Sequence, residues 1–233
     1  MLNKIQIAID GPAGSGKSTI AKIIAKKFKF IYIDTGAMYR AVTLYAKIHN
    51  VSYQDEKKIS TFVDNIPLKF IPGYPVQHVL IEGKDVTKKI RSNDITNNVS
   101  LVSSFKEVRK IMTSRQREMA EKNNVVMDGR DIGVTVLPNA QIKIFLTASL
   151  EARVKRRLID NRKKGINESF NSLKNEIIKR DYKDSHRLLS PLKKAKDAIE
   201  IDTTDLTIKQ VIKRIISIIN IFFKNNNYAK KKY

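Results

Sequence analysis

Residues 11–18 read Gly-Pro-Ala-Gly-Ser-Gly-Lys-Ser and follow directly on the apolar run Ile5-Gln6-Ile7-Ala8-Ile9. The octet fits G-x-x-x-x-G-K-S/T. It has an apolar strand before it and an amphipathic helical pattern after it (Ile20, Ile23, Ile24, Phe28), which is the context that such a phosphate-binding loop, or P-loop, requires. Gly11, Gly14 and Gly16 let the backbone curl so that several N–H groups point at one spot. A helix starting near Lys17 adds its positive N-terminal end. Lys17 then reaches the β- and γ-phosphates of a bound nucleotide, and the Ser18 hydroxyl can hold Mg²⁺.

A chain of 233 residues suits one large α/β domain with one or two inserted subdomains. Its 42% hydrophobic and 29% charged residues fall in the globular range. There is no cysteine, which excludes disulfides, a thiolate nucleophile and a Cys-ligated metal. Residues 1–4 run straight into the first strand and leave no room for a signal peptide. The most apolar C-terminal stretch, 215–223, is broken by Ser217 and Asn220 and falls short of the ~20 residues of a membrane span. A cytoplasmic protein without a membrane partner is expected. The net charge is +22, but lysine is scattered over nearly every segment rather than focused in a patch. Non-specific polyanion binding is the expected side effect, without a dedicated nucleic-acid site.

Apolar β-rich runs at 5–9, 30–33, 125–128 and 142–146, and a weaker one at 198–202, alternate with helical patterns at 17–28, 37–49, 149–163 and 207–223. That alternation predicts a parallel sheet flanked by helices, with ligands at the carboxyl ends of the strands. Residues 66–71 and 78–82 break the rhythm as short strands, punctuated by Pro67, Pro72, Gly73 and Pro75, and 82–85 read as a tight turn leading to Val86. Helical patterns resume over 93–122. The expected organisation is one domain over 1–222: a core of 1–62 and 123–222, a β-rich insertion at about 63–104, and a helix at about 105–122. Residues 223–233 form a polar, basic tail that reads as disordered.

Four segments carry chemistry beside the loop. Asp34-Thr35-Gly36-Ala37-Met38-Tyr39-Arg40 follows a strand; Asp34 or Thr35 can cap the next helix, and Arg40 lies one turn in, where an anion can meet it. Met127-Asp128-Gly129-Arg130-Asp131-Ile132-Gly133 ends another strand. Its Asp128 resembles the acid that assists Mg²⁺ in P-loop proteins, and Arg130 offers a fork for phosphate. Arg153, Arg156 and Arg157 stand at i, i+3 and i+4 and share a helical face, with Arg162, Lys163, Lys164 and Gly165 beyond. A lid over polyphosphate and a solvated charge run both fit. Arg180, Asp184 and Arg187 again share a face, which suits either a ligand with hydroxyls and phosphate or an ion-pair ladder. His49, His78 and His186 have no metal-ligand spacing.

Together these stretches resemble the bacterial cytidylate kinases of the long form. The resemblance runs over roughly residues 4–219 and is carried by Ile9-Asp10-Gly11-Pro12, residues 34–40, residues 128–133, and the run 187–204 with Ser190-Pro191-Leu192, Ala195, Asp197-Ala198 and Asp202-Thr203-Thr204. It implies a P-loop core, a small β-rich insertion that binds the nucleoside monophosphate, and a helical lid at about 150–166. It implies transfer of a phosphoryl group from ATP to CMP or dCMP with Mg²⁺, by a monomer whose partners are small nucleotides. Carried over by position, Gly11, Pro12, Ala13, Gly14, Ser15, Gly16, Lys17, Ser18 and Thr19 would cradle the ATP phosphates. Arg40 and Arg130 would hold the acceptor phosphate. Thr35, Ser100, Arg109, Asp131 and Arg187 would surround the cytosine, and Arg180 and Asp184 would meet the pentose. Arg153 and Arg157 would close from the lid, while Ser18, and Asp128 through water, would serve the metal. His186 stands where the family more often has Asn. Within the same class the rival acceptors are adenylate, uridylate, thymidylate and shikimate, which the β-rich insertion and residues 128–133 argue against.

Overall fold

The computed structural model describes residues 4–71, 77–163 and 165–226. Five strands, β1 (Gln6–Asp10), β2 (Ile31–Asp34), β6 (Val125–Gly129), β7 (Ile142–Thr147) and β8 (Ile199–Asp202), form a parallel sheet in the order β2-β6-β1-β7-β8. Helices cover both faces, which is why the central strands are almost continuously apolar. Side-chain alternation divides the core in two. Ile5, Ile7 and Ile9 face α1 (Lys17–Phe28) and α8 (Ile208–Asn225), in a cluster with Ile20, Ile24, Ile215 and Ile219. Ala8, Ile33, Val125 and Met127 face the other way, with Met38 and Val42 of α2 (Thr35–Ile48) and Val108 and Met112 of α5 (Lys106–Lys122).

A second, antiparallel sheet is made of β3 (Leu68–Ile71), β4 (His78–Ile81) and β5 (Lys84–Asp85), within the residues expected as a β-rich insertion. Its Val79 and Ile81 pack on Ala37, Ala41 and Leu44 of α2, together with Val86, Ile90 and Ile95. The β4–β5 turn is made by Glu82 and Gly83, both in the left-handed region, so Lys84 and Asp85 pair as a strand where the sequence reads as turn. Pro72, Gly73 and Pro75 lie outside the described residues. A short 3₁₀ turn at Lys89–Arg91 and α4 (Asn93–Val102) complete this lobe.

The described elements depart from the sequence reading at several points. Helix α3 (Glu56–Val63), capped by Asp55, and a π-helical turn at Ile132–Val136 were not anticipated. The final helix continues to Asn225, so 223–225 are helical rather than tail; its start carries a capping box between Thr207 and Gln210. Residues 227–233 of the expected tail, and Lys164 of the lid segment, lie outside the described residues. The segment expected as a lid, about 150–166, holds α6 (Leu150–Arg162), which packs on α7 (Phe170–His186) through Val154, Leu173 and Ile177. Arg187 stands just past the end of α7 in extended backbone, so it does not share the helical face of Arg180 and Asp184. Among the described residues no helix is long and apolar enough to cross a membrane.

Candidate active site

The P-loop leaves β1 under tight steric control. A Cβ on Gly11, whose φ is +147°, would lie 2.1 Å from the Leu146 carbonyl oxygen on the neighbouring strand, so only glycine fits. Gly16, at φ +91°, precedes the first residue of α1. Lys17 is buried; its Nζ donates to the Pro12 carbonyl at 2.6 Å and to Ser15 Oγ at 3.3 Å. Burial, and then the nearby Arg130 guanidinium, hold its ammonium well below the usual lysine range, a cost that anionic phosphate would offset.

Next to the loop, Ser18 Oγ donates to Asp128 Oδ2 at 2.7 Å and the buried Tyr32 hydroxyl donates to Asp128 Oδ1 at 2.8 Å. Asp128 is pushed up to about 6, first by burial and then by Asp34, its register partner on β2. A hydroxyl and a carboxylate are hard oxygen donors of the kind Mg²⁺ takes alongside waters and phosphate oxygens. No group of three or more His, Cys, Asp or Glu suited to a metal occurs among the described residues, so a cation here would need substrate oxygens as well. The donor set fits that requirement.

Across the cavity stands a set of paired arginines. Arg40 Nη1 donates to Thr96 Oγ1 at 2.8 Å; burial, then Arg180, push it down to about 9. Asp184 collects Arg130 Nε at 3.0 Å and the Ser100 hydroxyl at 3.2 Å, with Arg180 Nε at 3.9 Å. Arg180 is itself pushed down to about 10 by burial and Arg130. Asp131 receives Arg109 Nη2 at 2.5 Å and Arg187 Nη2 at 3.3 Å, all three side chains being buried. The Tyr39 ring lies 5.4 Å from the Arg109 guanidinium carbon. Thr35 Oγ1 donates to the Asp128 carbonyl at 2.8 Å, and Gly129 is pressed so close that a Cβ would meet Thr35 Oγ1 at 2.8 Å.

All of this opens onto one cavity of about 540 Å³. Every site residue anticipated from sequence lines it except Gly11, Pro12 and Arg153. Gly11 is pressed against β7, and Pro12 turns its carbonyl to Lys17. Arg153 is tied down by Ala148 O at 3.2 Å, Ala13 O at 3.1 Å and an ion pair with Asp181. The expected cluster of three lid arginines is therefore split. Arg156 donates to Thr203 Oγ1 at 2.9 Å, while Arg157 lines the cavity with no hydrogen-bond or ion-pair partner among the described residues.

Sequence reasoning gave no role to Arg91, whose Nη2 pairs with Asp34 Oδ2 at 2.8 Å at the cavity wall; in the run Lys88-Lys89-Ile90-Arg91 nothing distinguishes it from the general basic excess. Asp34 also caps α2 by accepting from Ala37 N, so of the two candidate caps it is Asp34 that serves. Asp10 did carry a signal, as an acid ending an apolar strand. It is buried, and its two oxygens accept from Ile132 N at 2.9 Å and Gly133 N at 2.8 Å, fixing the loop that bears Asp131. Burial pushes Asp10 up to about 7 despite those two N–H donors. The folded state thus holds a proton that the unfolded chain releases near 4, and stability falls as pH rises from about 4 through about 7. The expected result is that the wild type loses about 3 kcal/mol relative to Asp10→Asn between pH 5 and 8. Thermal melts of both proteins at the two pH values measure this; a gap that does not change with pH contradicts it.

The family model for cytidylate kinase matches residues 7–221. The cytidylate kinase of Ligilactobacillus salivarius (strain UCC118) is 54% identical, covering 94% of this chain and 98% of the relative. That of Pediococcus pentosaceus is 51% identical over all of both chains. In fold alone the chain is similar to a gluconokinase from Sinorhizobium meliloti 1021, with a TM-score of 0.51 and 11% identity over 99% of this chain and 100% of the other. With sequence matches that span almost its whole length, the chain belongs to the cytidylate kinase family.

Proposed function

We propose that the protein transfers the γ-phosphoryl group of ATP to CMP or dCMP, giving ADP and CDP or dCDP. The observation that carries this reading is the single cavity joining the P-loop to the Asp131 and Asp184 clusters. Around the acceptor side, six arginines (40, 91, 109, 130, 180 and 187) face three carboxylates (Asp34, Asp131 and Asp184), a surplus that an anionic nucleotide would neutralise. A loop for one polyphosphate and a second cationic wall opposite it are what a transfer between two nucleotides needs.

No covalent intermediate is called for, since phosphoryl transfer depends on positioning and charge stabilisation. Lys17 and the amides of residues 14–19 hold the β- and γ-phosphates, while the Ala13 amide stays with Asp181. Arg40 and Arg130 hold the acceptor phosphate so that its oxygen lies in line with the γ-phosphorus. Arg157 reaches the transferring group from α6, with Arg153 at the root of the same helix. Ser18, and Asp128 through water, would hold Mg²⁺, which when bound would supply positive charge against the phosphate oxygens. Asp184 and Arg180 meet the pentose hydroxyls. Closing α6 and α7 over the site would exclude water, which otherwise competes as acceptor.

The base is read by Asp131 with Arg109 and Arg187, beside Ser100 and Thr35. Cytosine offers an N4 amine donor next to acceptors, which a carboxylate flanked by guanidinium groups matches. Uracil places an oxygen where the amine stands and would meet the Asp131 carboxylate oxygen to oxygen. With this reading go a cytoplasmic location and action as a monomer on free nucleotides. A coupled ADP-release assay over CMP, dCMP, UMP, AMP and GMP tests it: CMP or dCMP is expected to give the highest kcat/KM. A better rate with AMP or GMP would assign the enzyme to another acceptor.

A further inference from the structure

Helix α7 touches both halves of the cavity. Arg180 and Asp184 line the acceptor side, as the proposed function has it, and Asp181 between them reaches the P-loop instead. One Asp181 oxygen accepts from Ala13 N at 3.2 Å, and the other pairs with Arg153 Nη1. The same Arg153 nitrogen donates to Ala13 O at 3.1 Å, and its Nε donates to Ala148 O at 3.2 Å. Ala13, Arg153 and Asp181 thus close a three-cornered knot between the P-loop, α6 and α7. The packing around it is tight: a Cβ on Gly14 would lie 3.1 Å from Arg153 Cβ. The Asp181 and Arg153 side chains are only 20% and 11% exposed, so solvent screens the pair weakly. Asp181 also supports the positive charge of Arg130 on the acceptor side.

We propose that Asp181 is a positioning residue through which the donor and acceptor sites bind cooperatively. Ordering the P-loop around ATP phosphates fixes both the N–H and the carbonyl of Ala13. The knot then fixes α7, and with it Arg180 and Asp184. The first ligand bears the entropy cost of that ordering, so the second meets a preorganised helix and binds more tightly. Linkage makes the effect reciprocal: CMP strengthens ATP binding by the same factor. The inference rests on the proposed assignment of the two halves.

The test is calorimetric titration of CMP into the intact enzyme with Mg²⁺, with and without a saturating non-hydrolysable β,γ-imido analogue of ATP. The wild type is expected to bind CMP about tenfold more tightly with the analogue present, and the analogue to gain the same factor from CMP. In Asp181→Asn the factor is expected to fall below about twofold while the Kd for CMP alone moves by less than about threefold. Loss of fold would instead weaken CMP binding in both titrations, and melting curves monitor it. Asp181→Glu, which keeps the carboxylate, is expected to retain a factor above about threefold. If Asp181→Asn does not fold, Asp181→Ser is read in its place against the same limits. A wild-type factor of one, a tenfold factor kept in Asp181→Asn, or a lost factor in Asp181→Glu overturns the inference. Failure of the wild type to bind CMP at all would overturn the proposed function, and this inference with it.

Discussion

Lys17→Ala is expected to lower kcat by at least about tenfold to a hundredfold, the size of one lost electrostatic stabiliser at a transferring group. Lys17 is the one ammonium that the P-loop itself holds in place, by way of Pro12 O and Ser15 Oγ. Its burial holds the ammonium in a setting where charge is costly unless an anion shares it. The charge it meets grows on the leaving β-oxygen as the γ-phosphoryl group departs, so the loss should fall on kcat more than on KM. The fold should tolerate the change, because removing a buried cation also removes its desolvation cost. Steady-state kinetics with CMP and MgATP measure the effect, alongside a melting curve. Near-normal turnover would sink the assignment of residues 11–18 to the donor phosphates.

The donor loop was legible in sequence because it is local: eight consecutive residues, a strand before and a helix after. The acceptor side is not local. Arg40, Arg109, Arg130 and the pair Arg180 and Arg187 come from four different segments, and only the sheet order brings them together. Placing β6 between β2 and β1 sets Asp34 beside Asp128 and Gly129 beside Asp10, and thereby gathers the loops at one edge. No periodicity in the sequence specifies that order, and the family resemblance implied the grouping of these residues without the order that produces it.

The misses have physical causes as well. Arg153, Arg156 and Arg157 do share a helical face by spacing. Arginine stems are long, however, and three different sets of surroundings draw them apart: Ala13 and Asp181, the Thr203 oxygens, and the open cavity. Lys84-Asp85 is too short and too polar to read as a strand, and it forms because Glu82 and Gly83 accept left-handed backbone. Helix α8 includes Phe223, where the helical pattern and the expected tail meet, because Phe223 packs into the same cluster as Ile215 and Ile219, and its capping box anchors the other end. Asp181 was hidden by its neighbours, since Arg180 and Asp184 carry the pattern while the residue between them faces another element.

Asp131→Asn is expected to reduce the preference for CMP over UMP by roughly tenfold to a hundredfold, about 1–3 kcal/mol of base discrimination. The amide keeps the volume of the carboxyl group and one acceptor oxygen for Arg109 or Arg187. It also presents an N–H₂ donor, which suits the O4 of uracil and opposes the N4 amine of cytosine. Most of the change should therefore be a loss of kcat/KM with CMP, with a smaller loss or none with UMP. Asp131→Ala cannot isolate this effect. Both variants remove the counter-charge shared by the buried Arg109 and Arg187 guanidinium groups, but Ala also removes every acceptor and leaves a void, so the cost of up to about 3–5 kcal/mol in stability falls most fully on Ala. The Asn variant should melt closer to the wild type than the Ala variant does. Asp10 and Arg109 keep their hold on the loop and on Ser103 O, so the backbone around residue 131 stays in place. Paired kcat/KM values for CMP and UMP decide the matter. Equal losses on both acceptors would mean that Asp131 braces the two arginines without reading the base, and that discrimination lies with Ser100 and Thr35.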